Sequence, residues 1–280
     1  MNWKSYEVIE QISIKQIYTI FNRHFEKNYN FAGEMHDFWE MMYIIDGSMT
    51  VSADDKVHTL SMGDLIIFKP YQLHKFNVDD SLGATVLIAT FTMQGTLCQK
   101  IDGRAYRLEK FQRSILKTFL QYLDYEINHN EQAKAGDYWY NVLPFFENDN
   151  TFIQTAALFI SRILLTLSDS AHTISKDKTY ETEMFKKALQ VMNENIDQNL
   201  LVDEIATRLN ISVSSLKLLF DKYAGMSVHK YFLTLKIKTA TIMLKTGLSV
   251  SEVSEKLGFS SQGYFSYCYK RETGNNPSQI

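Results

Sequence analysis

Cysteine is almost missing from this chain: Cys98 and Cys268 are the only two in 280 residues, one in each half and without metal-ligand spacing. That excludes a disulfide framework and a cysteine-held zinc site, and it fits a reducing compartment. A surplus of one charge is missing too. Lys and Arg number 29 against 32 Asp and Glu, a net charge of −3, so composition by itself announces no nucleic-acid partner. The balance is uneven along the chain, with 12 basic against 10 acidic residues in 181–280 and 17 against 22 in 1–180. That has the right sign for a nucleic-acid contact by the C-terminal part. Long apolar runs are also lacking. Met1-Asn2-Trp3-Lys4-Ser5 begins no apolar leader, and the most apolar helical stretch, Phe152 to Leu167, is short for a membrane span and broken by Gln154 and Arg162. The expectation is a soluble, cytoplasmic chain of about two domains with no membrane partner.

What the sequence does contain is a repeat. Leu216, Phe220, Gly225 and Val228 recur 49 positions later as Phe265, Tyr269, Gly274 and Pro277, while Ala206 and Asn210 recur 48 later as Ser254 and Gly258. Each copy reads as a helix-turn-helix. Ala206 or Ser254 lets two helices approach closely, Asn210 or Gly258 supplies the positive φ of the tight turn, and Phe259 plugs the angle between the helices of the second copy. A connecting helix through Leu235, Ala240 and Met243 joins the copies, so that two recognition helices can enter neighbouring major-groove segments.

The spaced pattern Lys236, Ala240, Gly258-Phe259, Phe265, Gly274 and Pro277-Ser278 resembles the AraC/XylS family of bacterial transcription regulators, over Glu181 to Ile280. It departs from that pattern at Ser254, where Ala is frequent, and at Leu218 and Tyr267, where basic residues are common. The resemblance implies a sequence-specific transcription regulator, more an activator than a repressor. It also implies a homodimer on double-stranded DNA with two half-sites, and RNA polymerase as a partner of an activator.

In the first unit the supporting helix spans Asp203 to Leu209 and the recognition helix Val213 to Tyr223, with Ser212 as its N-cap. Leu216, Leu219, Phe220 and Tyr223 point inward by spacing, which leaves Ser214, Ser215, Lys217 and Leu218 facing the groove and Asp221 and Lys222 a turn further on. Lys217 suits a guanine edge, and the serines suit bases or phosphates. In the second unit Phe265, Cys268 and Tyr269 turn inward and leave Ser260, Gln262, Gly263, Ser266, Tyr267 and Lys270 outward, with Gln262 suited to adenine. Gly263 and Tyr267 are poor base readers, so the first unit is expected to supply most specificity and the second to grip phosphates. Lys230, Lys236, Lys238 and Arg271 add local positive charge.

Upstream, short β-rich runs (Met41 to Ile45, Met49 to Ser52, Leu65 to Phe68, Thr85 to Phe91) are punctuated by Asp46-Gly47, Asp54-Asp55 and Asp79-Asp80. Short strands at that spacing predict a sandwich or small barrel. His36, Glu40 and Gly47, then Gly63-Asp64 through Pro70 to His74 and Asn77, resemble the motifs of cupins. The resemblance implies a jelly-roll barrel that serves as a ligand sensor. His36, Glu40 and His74 fall at three of the four positions that hold a divalent metal in metal-binding cupins; the fourth is Phe38. The preferred reading has no metal and no cofactor, with His36, Glu40 and His74 beside Tyr43 and Phe68 lining a pocket for a small polar molecule such as a sugar. The alternatives are a metal-dependent cupin enzyme using His36, Glu40 and His74, and a ligand-independent regulator with a protein partner, whose barrel would be filled by side chains.

Two helices are expected from Arg104 to Asn130 and Asn150 to Leu167, flanking an aromatic insert, Asp137 to Pro144. Phe111, Ile115, Phe119, Tyr122 and Ile127 form an apolar stripe on the first, and the second is apolar around much of its circumference. Either packs on the barrel or pairs with its copy in a dimer. The fold class expected is multidomain α+β: an N-terminal cupin-like β-barrel (1–100), a helical dimerisation region (101–170), a linker (171–182) and an all-α double helix-turn-helix domain (183–280). The reading as a whole is a non-enzymatic regulator.

Overall fold

Strand alternation builds the N-terminal domain. The computed structural model describes residues 3–54, 56–78, 82–101, 104–135, 141–167 and 179–280, so the expectations on Asp55, on Asp79-Asp80, on 137–140 and on the linker up to 178 lie outside the described residues. Among the described residues the strands are β1 (Ser13–Phe25), β2 (Asn30–Glu34), β3 (Trp39–Ala53), β4 (Lys56–Ser61), β5 (Asp64–Phe68), β6 (His74–Asn77), β7 (Ala84–Gln94) and β8 (Ala105–Arg107). The first half of β3 pairs with β5 and β7, and the second half pairs with β4 and β6. One long strand is therefore shared by two sheets. Asp46-Gly47, expected as a turn, lies inside β3: the register slips between Ile44 and Asp46, and Gly47 adopts φ +78 where an added Cβ would lie 2.2 Å from the Gly83 carbonyl oxygen. It is a bulge at the place where the strand passes from one sheet to the other.

Side chains of β3 alternate between two cores. Met42 and Ile44 join Met49, Val51, Ile66, Phe68, Phe76 and Val86 inside the barrel, while Met41 and Tyr43 join Leu65, Ile67, Leu87 and Phe91 on the face covered by helices. Those helices are α1 (Lys110–His129) and α3 (Asn150–Leu167), with the short α2 (Glu131–Ala135) between them. The first helix begins later than expected because Ala105–Arg107 pairs with β5, where Arg107 makes a two-pronged bond to the buried Asp64 carboxylate at 3.0 and 3.1 Å. Its buried stripe is Gln112, Ile115, Leu116, Phe119 and Leu123; Phe111, expected in the stripe, is 58% exposed. In α3, Phe152, Ile160, Ile163 and Leu164 are fully buried, each worth about 1.5–3 kcal/mol. Leu158 and Leu165, on its other side, are exposed.

The C-terminal half is helical: α4 (Tyr180–Glu194), α5 (Val202–Arg208), α6 (Val213–Ala224), α7 (Val228–Lys245), α8 (Val250–Lys256) and α9 (Gln262–Thr273). Thr179 caps α4, accepting a hydrogen bond from the Thr182 amide, so this helix starts inside the stretch expected as linker. Two cores lie side by side, one around Phe185, Leu216, Phe220 and Tyr231 and one around Ile237, Val253, Phe265 and Tyr269. The whole is a mixed α+β chain with a sheet-rich N-terminal domain and a helical C-terminal one.

Candidate functional site

The two helix-turn-helix units are copies down to their hydrogen bonds. Asn210 and Gly258 adopt φ +55 and +63. The Ile211 amide donates to the Ala206 carbonyl as the Phe259 amide donates to that of Ser254. Ser212 caps α6 by accepting from the Ser215 amide, and Ser261 caps α9 by accepting from that of Tyr264. Gly225 and Gly274 end these helices in the left-handed conformation. Ser261, given no role by the sequence reading, is the cap of the second recognition helix. Its signal was available in the repeat, since Ser261 follows Ser212 by the same 49 positions.

On α6, Ser214, Ser215, Lys217, Leu218 and Lys222 are all exposed, and Leu216, Leu219, Phe220 and Tyr223 are buried. On α9, Gln262, Gly263, Tyr267 and Lys270 are exposed, whereas Ser266 is half-buried. Exposed Tyr264, absent from the sequence reading, shares that surface. Several cations expected near DNA are engaged elsewhere. Lys222 bonds Glu181 at 2.6 Å, which also accepts from the Tyr223 hydroxyl. Lys236 is buried, donating to the Leu257 carbonyl and Asn199; desolvation draws its pKa down to about 8. Lys238 pairs with Asp54 of the N-terminal domain, and Lys230 lies 3.7 Å from Glu272. Lys217 and Lys270 remain as exposed cations without an ion pair among the described residues.

The barrel holds a cavity of about 390 Å³. Phe21, Phe25, Tyr29, Phe31, Phe38 and Phe76 wall it, and Arg23, Glu34, His36, Glu40 and the Thr19–Thr90 hydroxyl pair supply polar groups. His36 and Glu40 thus line the cavity. His74 sits behind them, 3.6 Å from both Glu34 and Glu40. Tyr43 and Phe68 do not line it. Tyr43 has the opposite parity to Glu40 on β3 and packs under the helices; Phe68 stacks on the His74 ring with centroids 4.2 Å apart. Glu34, which no motif marks, completes the polar end. Burial opposes ionisation of Glu40, but the charge of His74 and the hydrogen bond with His36 outweigh it and hold the carboxyl at about 2. Burial likewise disfavours the His74 imidazolium, and the Glu40 charge overcomes this and raises it to about 10.

The polar end of the cavity abuts the DNA-binding half. Next to His74 on β6, Lys75 points the other way and its buried ammonium donates to the Asp221 carbonyl in the last turn of α6, where the helix dipole favours a cation. Next to Glu34 on β2, a Cβ added at Gly33 would lie 3.3 Å from the Ala224 carbonyl oxygen at the end of the same helix. Met35, Val57 and Leu73 enter the apolar core of α4 to α7. Asp54 binds Lys238 of α7 through both oxygens at 3.2 Å and also accepts from the Leu73 amide.

These features define a class: a DNA-reading pair of helix-turn-helix units attached to a cavity-bearing barrel. Comparison with known proteins agrees. Residues 205–280 match the family described as helix-turn-helix domain, and residues 18–111 match the AraC-like ligand binding domain. The chain is 22% identical to the HTH-type transcriptional activator RhaR of Mannheimia succiniciproducens over 98% of its length and 94% of that protein's. It is 21% identical to the Msm operon regulatory protein of Streptococcus mutans over 91% and 88%. Among solved structures, ToxT from Vibrio cholerae O395 aligns over 94% of this chain and 95% of its own, at 15% identity and a TM-score of 0.38. The chain therefore carries an AraC-like ligand binding domain followed by an AraC-type helix-turn-helix domain, the two parts of a transcription regulator that binds an effector through the first and DNA through the second.

Proposed function

We propose that this chain is a cytoplasmic, homodimeric transcription activator without catalytic activity, controlled by a small polar metabolite, such as a sugar or its derivative, held in the barrel. In this reading residues 1–100 sense and residues 101–170 dimerise. Residues up to about 182 link, and 183–280 read two half-sites and present RNA polymerase with an activating surface. Ser212, Ser214, Ser215, Lys217 and Leu218 of the first unit and Ser260, Gln262, Gly263, Ser266, Tyr267 and Lys270 of the second supply the DNA contacts, with Lys222 given over to Glu181. The full-length relative named an activator supports the sign of regulation. The exposed apolar side of α1 and α3, with Phe111, Leu158 and Leu165, supports pairing of two copies. The open cavity supports a small ligand over a side-chain-filled barrel that binds only protein.

One observation carries the mechanism: β6, which starts at His74 behind the cavity's polar end, bonds the C-terminus of recognition helix α6 through its next residue, Lys75, and on β2, which ends at Glu34, an added Cβ at Gly33 would lie 3.3 Å from the Ala224 carbonyl oxygen of that helix end. A ligand that moves Glu34 or His74 shifts the population of α6 orientations. The test is a thermal-shift screen of monosaccharides and sugar acids, followed by DNA affinity with and without the hit. In wild type the hit is expected to change affinity about 5- to 150-fold. In Lys75→Ala, which frees α6, that factor is expected to fall toward one while the hit still binds; an undiminished factor contradicts the route.

A further inference from the structure

Both imidazoles at the cavity's polar end are held for ligation. The Nδ1 atoms of His36 and His74 lie 3.0 and 2.9 Å from the Phe38 and Gln72 carbonyl oxygens, which only accept. Each Nδ1 therefore carries the hydrogen, and each Nε2 faces the centre of the cluster. The rings are locked as well, His36 stacked on Phe38 at 4.0 Å and His74 on Phe68 at 4.2 Å.

Separations at the centre suit a metal better than hydrogen bonds. His36 Nε2 is 3.3 Å from Glu40 Oε2, and His74 Nε2 is 3.6 Å from oxygens of both Glu34 and Glu40. An N–H···O bond spans about 2.7–3.2 Å, and His74 Nε2, on a side chain 1% exposed, has no hydrogen-bond partner. Four ligands placed tetrahedrally about 2.0–2.2 Å from one ion stand roughly 3.3–3.6 Å apart. One ligand atom from each of the four residues lies within 4.8 Å of all the others. Two nitrogens and two carboxylate oxygens suit a divalent first-row transition ion, and the two carboxylates neutralise its charge.

We propose that Glu34, His36, Glu40 and His74 bind one divalent first-row transition-metal ion, with Glu34 on β2 as the fourth ligand in place of the side chain at Phe38. The inference holds whatever organic molecule occupies the rest of the cavity, because it uses only these four side chains. Glu34 and His74 are also the residues adjoining Gly33 and Lys75, so the ion would brace the two strands that hold α6.

The test uses full-length protein expressed without a polyhistidine tag, stripped with chelator, and titrated calorimetrically with Zn²⁺ and with Co²⁺, whose visible absorption reports the coordination. Wild type is expected to take up one ion per chain and to melt at a higher temperature with it. Glu34→Gln, at a half-exposed position that leaves the fold intact, and His74→Asn are each expected to weaken binding by about 100-fold or more. Failure of the wild type to bind overturns the proposal. So does wild-type affinity in His74→Asn, which would place the ion on surface histidines, and so does wild-type affinity in Glu34→Gln, which would remove the fourth ligand. DNA affinity measured on the same samples keeps a failure of this site separate from a failure of the regulator reading.

Discussion

Replacing Gly258 by Ala is expected to cost more than about 3 kcal/mol and to abolish tight DNA binding. Its φ of +63 already disfavours a side chain by about 1–2 kcal/mol, and an added Cβ would lie 1.8 Å from the Asp197 carbonyl oxygen. That oxygen belongs to the loop between α4 and α5, so the turn of the second unit rests directly on the first. Lys236 strengthens the same joint by bridging Asn199 of that loop and the Leu257 carbonyl. The substitution therefore separates the two units as well as straining one residue. Gly274→Ala is the control: φ is +78 but nothing lies within 4 Å of the added carbon, so only the conformational cost of about 1–2 kcal/mol remains. Thermal melts of the two variants, with affinity on a fixed duplex, measure the difference. Equal losses at the two positions would mean that the contact with Asp197 holds nothing together.

Lys217→Ala is expected to reduce discrimination between the preferred and a mismatched site by about 10- to 100-fold, while Lys270→Ala weakens all duplexes alike and lowers the salt slope by about one. Lys217 stands exposed in the first turns of α6, one helical face with Ser214 and Leu218, where a side chain reaches base edges. Lys270 lies near the C-terminus of α9, beyond the first turns. Gln262→Ala should cost less discrimination than Lys217→Ala, because its helix offers Gly263 and Tyr267 where α6 offers more polar reach. Affinities on matched and mismatched duplexes across a salt series separate these outcomes, and a larger loss in Gln262→Ala would reverse the assignment of the two units.

The C-terminal half was legible because its information is local and duplicated. Asn210 and Gly258 reveal the turns, and Gly225 and Gly274 the helix ends; even the cap missed at Ser261 follows from the offset of its partner, Ser212. The barrel was legible as a class but not in its wiring. Asp46-Gly47 carries an ordinary turn signal, and only the pairing of β3 with four other strands makes it a bulge. Tyr43 stands three positions from Glu40 on β3, and that odd spacing along a strand places it under the helices rather than in the pocket. Glu34 has no motif around it, and it enters the site only because β2 pairs with β6 beside His74. The domain interface left no pattern at all. Asp54 and Lys238 are 184 positions apart, Lys75 and Asp221 are 146 apart, and each looks like an ordinary surface residue until the fold brings it to its partner.

The central claim is that both recognition helices of each chain read DNA together. Selection of binding sites from a random duplex pool by the full-length protein tests it most directly. The account predicts enrichment of a composite site in which two short conserved blocks lie about one helical turn, 10–10.5 base pairs, apart, repeated as half-sites for the dimer, with affinity falling steeply as salt rises. Enrichment of a single block, unaffected by changes in α9, would contradict it.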